Sequence, residues 1–288
     1  MQALLGEHAD SGALLVLNRW ARSTLSRIDQ LADEGAIYPS RNAQLRSGNH
    51  NRSFSRALRL GVFPIAANPL HWMHLLCGLA AIERLRLDKV VYVIAGADPR
   101  KPALASEQVR HRVAKEVLAI FSPLLEYSAI ARGSMADGEE NAFRIIASNG
   151  IRPVHAFYIA GSDHYRRLAP SSGNPDTIQK LEDGVLRRAH GFDPHRHWVS
   201  AVFLDRGGTL ESVQTFLEVH WITGLPLQIS SSRIRGALVG ERPLSELSLM
   251  PFSAYSAICT RGLYGSCPEV MAGGAIKQDF PQEGVELL

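Results

Sequence analysis

Two rhythms of apolar residues run along this chain. Between residues 12 and 36, Leu14, Leu17, Trp20, Leu25, Ile28 and Leu31 recur at roughly helical spacing among arginines and aspartates, which predicts one or two amphipathic helices. From residue 57 the rhythm changes. Short apolar runs at 58–63, 90–95, 124–130, 156–160 and 199–204 read as buried strands, and the segments 75–87, 108–121, 139–148 and 177–189 between them carry helical patterns. Strands alternating with helices predict an α/β fold, a doubly wound parallel sheet covered on both faces. Two more helix patterns follow at 231–239 and 252–261.

The stretch 38–55 lies between the two rhythms, is rich in Ser, Asn, Arg and Gly, and reads as a linker. The chain therefore divides into an N-terminal helical extension and linker (1–56), one α/β domain (57–265) and a Gly- and Pro-containing tail (266–288) expected to be disordered.

Composition narrows the function classes. With 45% hydrophobic and 20% charged residues among 288, the chain can bury a large core. Its +3 formal charge comes from arginines spread along the sequence, so no basic tail argues for nucleic acid, and a mild positive balance suits a phosphorylated substrate. Cys77, Cys259 and Cys267 are widely spaced without a Cys-x-x-Cys, which argues against a disulfide framework or a thiolate zinc site and for a reducing cytoplasm. The apolar run near 13–17 is too short for a signal peptide or a membrane span.

In a doubly wound sheet, ligands bind beyond the carboxyl ends of the strands. Three places there carry chemistry. After the first strand comes Asn68-Pro69-Leu70-His71-Trp72-Met73-His74, opening an apolar helix. Imidazoles three residues apart at a helix start share a face beside free N–H groups and the positive helix end, a setting that suits polyphosphate. A bare His-x-x-His is equally compatible with ordinary helix residues. After the fourth strand comes Gly161-Ser162-Asp163-His164, where small residues let a nucleotide approach and a carboxylate can accept from ribose; a plain turn uses the same residues. Finally, Ile229-Ser230-Ser231-Ser232-Arg233-Ile234-Arg235 puts hydroxyls at a helix start and a guanidinium one turn on, serving as caps, as an anion site, or both.

Taken in order, these segments resemble the nicotinate/nicotinamide mononucleotide adenylyltransferases, within the nucleotidyltransferases that carry a His-x-x-His-type signature. The resemblance covers about 57–264. The family's Gly-x-Phe, Asp/Asn-Pro and His/Thr-x-x-His match Gly61, Phe63, Asn68-Pro69 and His71 to His74; its Ile-Ser-Ser-Thr-x-Ile-Arg matches 229–235 with Ser232 for Thr, and is the more specific motif. Pro99 and Lys101, Arg110-His111-Arg112, Gly161-Ser162-Asp163 and Arg206-Gly207 add weaker matches. Pro64 to Ala67 read as an insertion, and Met73 stands where many members have Gly.

The resemblance implies AMP transfer from ATP, with Mg²⁺, to a pyridine mononucleotide. It implies His71, His74, Lys101 and Arg235 as the phosphate-contacting set. Gly61, Val62, Phe63, Asn68, Gly161, Asp163, Ile229, Ser231 and Ser232 would bind the nucleotides, and no protein group would ligate the metal. Trp72, Tyr165, Trp198 and Trp221 are candidates to stack on the pyridine ring, with core packing as the alternative for each. His190, His195 and His197 cluster before the fifth strand and read more simply as a surface loop than as a metal site. Partners are ATP and the acceptor, without nucleic acid or membrane and with room for a homo-oligomer. Two rival readings remain: transfer to another phosphorylated acceptor such as phosphopantetheine, FMN or glycerol phosphate, and a non-catalytic nucleotide-binding regulatory module. A class I aminoacyl-tRNA synthetase is disfavoured by the short chain and the lack of a Lys-Met-Ser-Lys-Ser-like loop.

Overall fold

The computed structural model describes residues 11–39, 56–96, 104–162, 176–205, 214–226, 229–242 and 244–265. Its centre is a six-stranded, wholly parallel sheet of order β3-β2-β1-β4-β5-β6. The strands are β1 (Leu58–Ile65), β2 (Lys89–Ile94), β3 (Leu125–Ser128), β4 (Val154–Gly161), β5 (His197–Leu204) and β6 (Glu218–Ile222). Among the described residues, seven α-helices accompany them: α1 (Ser11–Asp33), α2 (Trp72–Leu85), α3 (Glu107–Ala119), α4 (Gly138–Ser148), α5 (Thr177–Leu186), α6 (Ser231–Leu238) and α7 (Phe252–Thr260). The expected doubly wound α/β sheet is the observed fold.

Strand order reverses between β1 and β4. From β1 the chain winds outward through β2 and β3, then returns to β4 and winds the other way through β5 and β6. A crevice opens where neighbouring connections leave in opposite directions, at the carboxyl ends of β1 and β4.

Period-two alternation divides the buried side chains between two faces. Phe63, Tyr92, Ile94, Phe157, Ile159, Val202 and Leu204 face α1, α2 and α3 in one cluster. On the opposite face, Leu60, Val62, Val91, Ala156, Tyr158, Ala201 and Phe203 pack with Phe143, Ile146 and Leu181 of α4 and α5. A third cluster of Ile234, Leu238, Met250 and Ile258 welds α6 to α7.

Three features add to the sequence reading. Strand β6 was not foreseen, because Glu218-Val219-His220-Trp221-Ile222 is half polar; it pairs in parallel with β5, Ser200 opposite Glu218 and Leu204 opposite Ile222. The expected insertion at 64–67 begins as strand: Pro64 and Ile65 continue β1 in register with Val93 and Ile94. Proline lacks a ladder N–H, and it is accommodated because pairing of β1 with β4 ends at Val62. Helix α1 is one helix, and it packs on α2, placing Leu17, Ala21, Ile28 and the following Ile37 in the main core. The linker at 40–55 and the tail from 266 lie outside the described residues.

Candidate active site

Helix α2 starts where β1 ends. His71 takes the N-cap position with extended backbone (φ −141°, ψ 169°), and His74 stands at the third helical position. The His71 backbone N–H donates to Nδ1 of His74 at 3.3 Å, as the back-reaching half of a capping box does. The two imidazoles stack, centroids 3.7 Å apart and planes 23° apart. His71 is the deeper ring, 3% exposed, and His74 is half-buried. The pair thus sits on the first turn of a 14-residue helix, where the positive end of the helix dipole favours an anion. Tyr92 of β2 fixes that turn from below: its fully buried hydroxyl donates to the His74 carbonyl at 2.8 Å. Burial raises the Tyr92 phenol well above its ordinary value, so it remains a donor.

The Ser/Arg segment comes to the same loop from 162 to 167 residues further along the chain. Ser230 caps α6 by accepting from the Arg233 N–H at 3.4 Å. Ser231 Oγ then donates to the Pro69 carbonyl at 3.2 Å, and Arg235 Nη1 donates to the Asn68 carbonyl at 2.7 Å. Arg235 keeps further donors and is only partly buried. Ser232 is exposed and within 3.0 Å of Ser230 Oγ, and Ile229 anchors the segment by packing on the core. The Asn68 side chain is buried; its Oδ1 accepts from the Ala105 N–H at 3.0 Å and so braces the start of α3.

Other candidate residues are distributed less evenly. Gly161 is the last residue of β4, opposite Leu204, at the mouth of the crevice; Asp163, Lys101, Tyr165 and Arg206-Gly207 lie outside the described residues. Gly61, Val62 and Phe63 sit inside β1, two to four residues short of its end, rather than in the loop. Gly61 has a packing role there: a Cβ would stand 2.7 Å from Val90 Cγ2 and 3.0 Å from Leu87 Cδ1. Trp72 is buried edge-on to Phe121, and Trp221 lies against Phe203. Trp198 occupies the beginning of β5, at the opposite end of the sheet from His71.

Around the other histidines, His190 pairs with Glu140, and the buried His197 accepts the Asp193 N–H through Nδ1 at 3.0 Å. No group of three or more metal-ligating side chains occurs among the described residues, and no helix among them is long and apolar enough to cross a membrane.

No family model matches the chain. It is 26% identical over 200 residues to a "probable nicotinate-nucleotide adenylyltransferase" of Thermoanaerobacter sp., covering 67% of this chain and 88% of that protein. It is 26% identical over 216 residues to a protein of the same description from Moorella thermoacetica, covering 73% and 93%. Among solved structures it resembles a Plasmodium falciparum nicotinic acid mononucleotide adenylyltransferase complexed with NaAD, with a TM-score of 0.51 at 16% identity, over 73% of this chain and 98% of that one. At that identity the structural likeness speaks for the fold.

Proposed function

We infer that this chain belongs to the nicotinate-nucleotide adenylyltransferase family and moves AMP from ATP to nicotinate mononucleotide, releasing pyrophosphate and forming the dinucleotide. The observation that carries this reading is the docking of Ser231 and Arg235 of α6 onto the Asn68-Pro69 carbonyls beside the stacked His71 and His74, at the switch point of the sheet. Two anion-favouring helix starts facing one loop suit a triphosphate. Nicotinate rather than nicotinamide follows the names of the relatives.

In this reading, an oxygen of the acceptor's 5′-phosphate forms a bond to the α-phosphorus of ATP, the bond from that phosphorus to the bridging oxygen breaks, and the electron pair leaves with pyrophosphate. No covalent enzyme intermediate is needed, so the protein positions the reactants and stabilises charge on the transferring group. His74 faces the α-phosphoryl charge, while His71, Ser231, Ser232 and Arg235, with Lys101, hold the remaining phosphates. Gly161 and Asp163 bind ribose. Imidazoles, hydroxyls, a guanidinium and backbone N–H groups suit phosphate oxygens better than a hard cation. Mg²⁺ therefore belongs to this scheme as part of the ATP complex, held by phosphates and water. The implied compartment is the reducing cytoplasm, in keeping with the wide spacing of the three cysteines and the lack of a Cys-x-x-Cys.

The test is a product assay with ATP and Mg²⁺ and, separately, nicotinate mononucleotide, nicotinamide mononucleotide, phosphopantetheine and FMN. Dinucleotide and pyrophosphate should appear with nicotinate mononucleotide. His74→Ala should lower turnover by on the order of 10²-fold or more, as loss of a preorganised charge-stabilising donor commonly does. ATP binding without product from any acceptor would instead support a regulatory module.

A further inference from the structure

Among the described residues Arg110 is the largest side chain buried almost completely, 1% exposed, and the proposed chemistry does not use it. It belongs to the first turns of α3, yet its guanidinium reaches beneath the carboxyl ends of two strands. Nε donates to the Ala105 carbonyl at 2.9 Å, Nη1 to Ala66 at 2.8 Å and Ala95 at 2.7 Å, and Nη2 to Gly96 at 2.7 Å. Ala66 follows β1 directly, Ala95 and Gly96 follow β2, and Ala105 precedes α3. One planar fork therefore ties together the three backbone segments that frame the loop of His71 and His74.

The same loop is held from its other side. Arg235 binds the carbonyl of Asn68 and Ser231 that of Pro69. Between the Arg110 and Arg235 anchors lies Ala67, in the left-handed region at φ 49°, a conformation that costs a non-glycine residue on the order of 1–3 kcal/mol and persists only where its surroundings impose it. Among the described residues Arg110 forms no ion pair with a carboxylate. A buried charge held chiefly by carbonyl dipoles is costly to maintain, and burial lowers the Arg110 pKa against the smaller opposing pull of Tyr264 and Glu107. A hydrophobic side chain would fill the space without that cost but would leave four carbonyls unserved, and lysine has neither the planar fork nor enough donors.

The geometry assigns Arg110 as the positioning residue of the site. It sets the distance and angle between the β1–α2 loop and the backbone leaving β2, and with Arg235 it locks the Ala66–Pro69 bend that aims His71 and His74. It touches no substrate. This rests on the adenylyltransferase reading for its kinetic consequence, while its structural consequence is independent of that reading.

The test compares the wild type with Arg110→Lys and Arg110→Met, full chain, by thermal unfolding, hydrogen exchange, affinity for a non-hydrolysable ATP analogue, and kinetics of dinucleotide formation. In Arg110→Lys, exchange should accelerate at 62–74, 94–96 and 104–106 but not in α4 and α5. The kcat should fall by roughly 10- to 100-fold with a smaller change in KM, since a misplacement near 1 Å acts mainly on the transition state. Arg110→Met should lose at least as much. Wild-type kcat and exchange in Arg110→Lys would overturn the assignment. So would faster exchange throughout the chain with kcat reduced only in proportion to the folded fraction, which marks a merely structural residue. If the wild type makes no dinucleotide, the adenylyltransferase reading fails while analogue affinity and local exchange still decide the role of Arg110.

Discussion

His155, at the beginning of β4, shows how one half-buried side chain couples this fold to pH. Its Nε2 lies 2.7 Å from Ser200 Oγ and its ring stacks on Phe157. Burial first, then Arg59 and His220, push its pKa down to about 4, against the opposing pull of Glu218. In the unfolded chain it titrates near 6.5. Above that pH both states are neutral; as pH falls from 6.5 toward 4 the unfolded chain takes up a proton that the folded chain refuses, so stability declines across this window and levels off below it. His111 and His197 are shifted the same way, also chiefly by burial. Replacing His155 by Phe should lower the melting temperature at pH 7, through the lost bond to Ser200, yet reduce its further drop between pH 7 and 5. Melting curves at the two pH values decide this, and equal drops in the two proteins would remove His155 from the acid response. Residues of this kind are poorly legible in sequence. His155 and Trp198 meet only through strand register, and nothing local to Tyr92 or Arg110 announces that one supports His74 and the other ties three loops. Gly61 was legible as a motif position, but its local reason is the close packing of Val90, Leu87 and Ile159.

Among the elements, α6 joins the two ends of the site. It has eight residues, capped by Ser230, and buries Ile234, Gly236, Ala237 and Leu238 against its neighbours. Arg235 points the other way, to Asn68. A guanidinium can hold that carbonyl with one donor and face a phosphate with others, whereas an ammonium on a flexible stem serves one geometry at a time. Arg235→Lys should therefore leave the melting temperature within a few degrees and raise the KM for ATP roughly tenfold or more, on the scale of one charged hydrogen bond. Initial rates across an ATP series, beside a melting curve, measure both; an unchanged KM would confine Arg235 to tethering α6. The sequence carried this element well, since three serines before an amphipathic turn read directly as a helix start. Strand β6 was lost because His220 and Glu218 occupy a partly open edge strand, where burial does not demand the apolar run that marked β1 and β5. At Pro64, a residue read as loop chemistry continues a strand whose neighbour on one side has already stopped pairing.

For the molecule as a whole, α1 converts what reads as an appendage into part of the core. Its sequence shows an amphipathic helix but cannot show what the apolar stripe meets. The structure lays it along α2, where Leu17, Ala21, Thr24 and Ile28 are buried and Arg27 pairs with Glu83 at 2.6 Å. Ile37, beyond the helix end, is 1% exposed, and the neighbouring Tyr38 N–H donates to Asp88 at 2.8 Å. Full burial of a large aliphatic side chain is worth about 1.5–3 kcal/mol, so Leu17, Ile28 and Ile37 together contribute roughly 5–9 kcal/mol gross, comparable with the whole net stability of an ordinary domain, about 5–15 kcal/mol. The Arg27–Glu83 pair, exposed on the arginine side, adds little by comparison. The other end of α2 carries His71 and His74, so whatever loosens this helix loosens the site. A chain beginning at residue 40 should melt more than 10 °C lower than the whole chain, or fail to unfold cooperatively, and lose ATP affinity in step with its folded fraction. Calorimetry and analogue binding on the two chains provide the comparison. An unchanged melting temperature would return α1 to the status of an appendage and leave the α/β domain to hold α2 by itself.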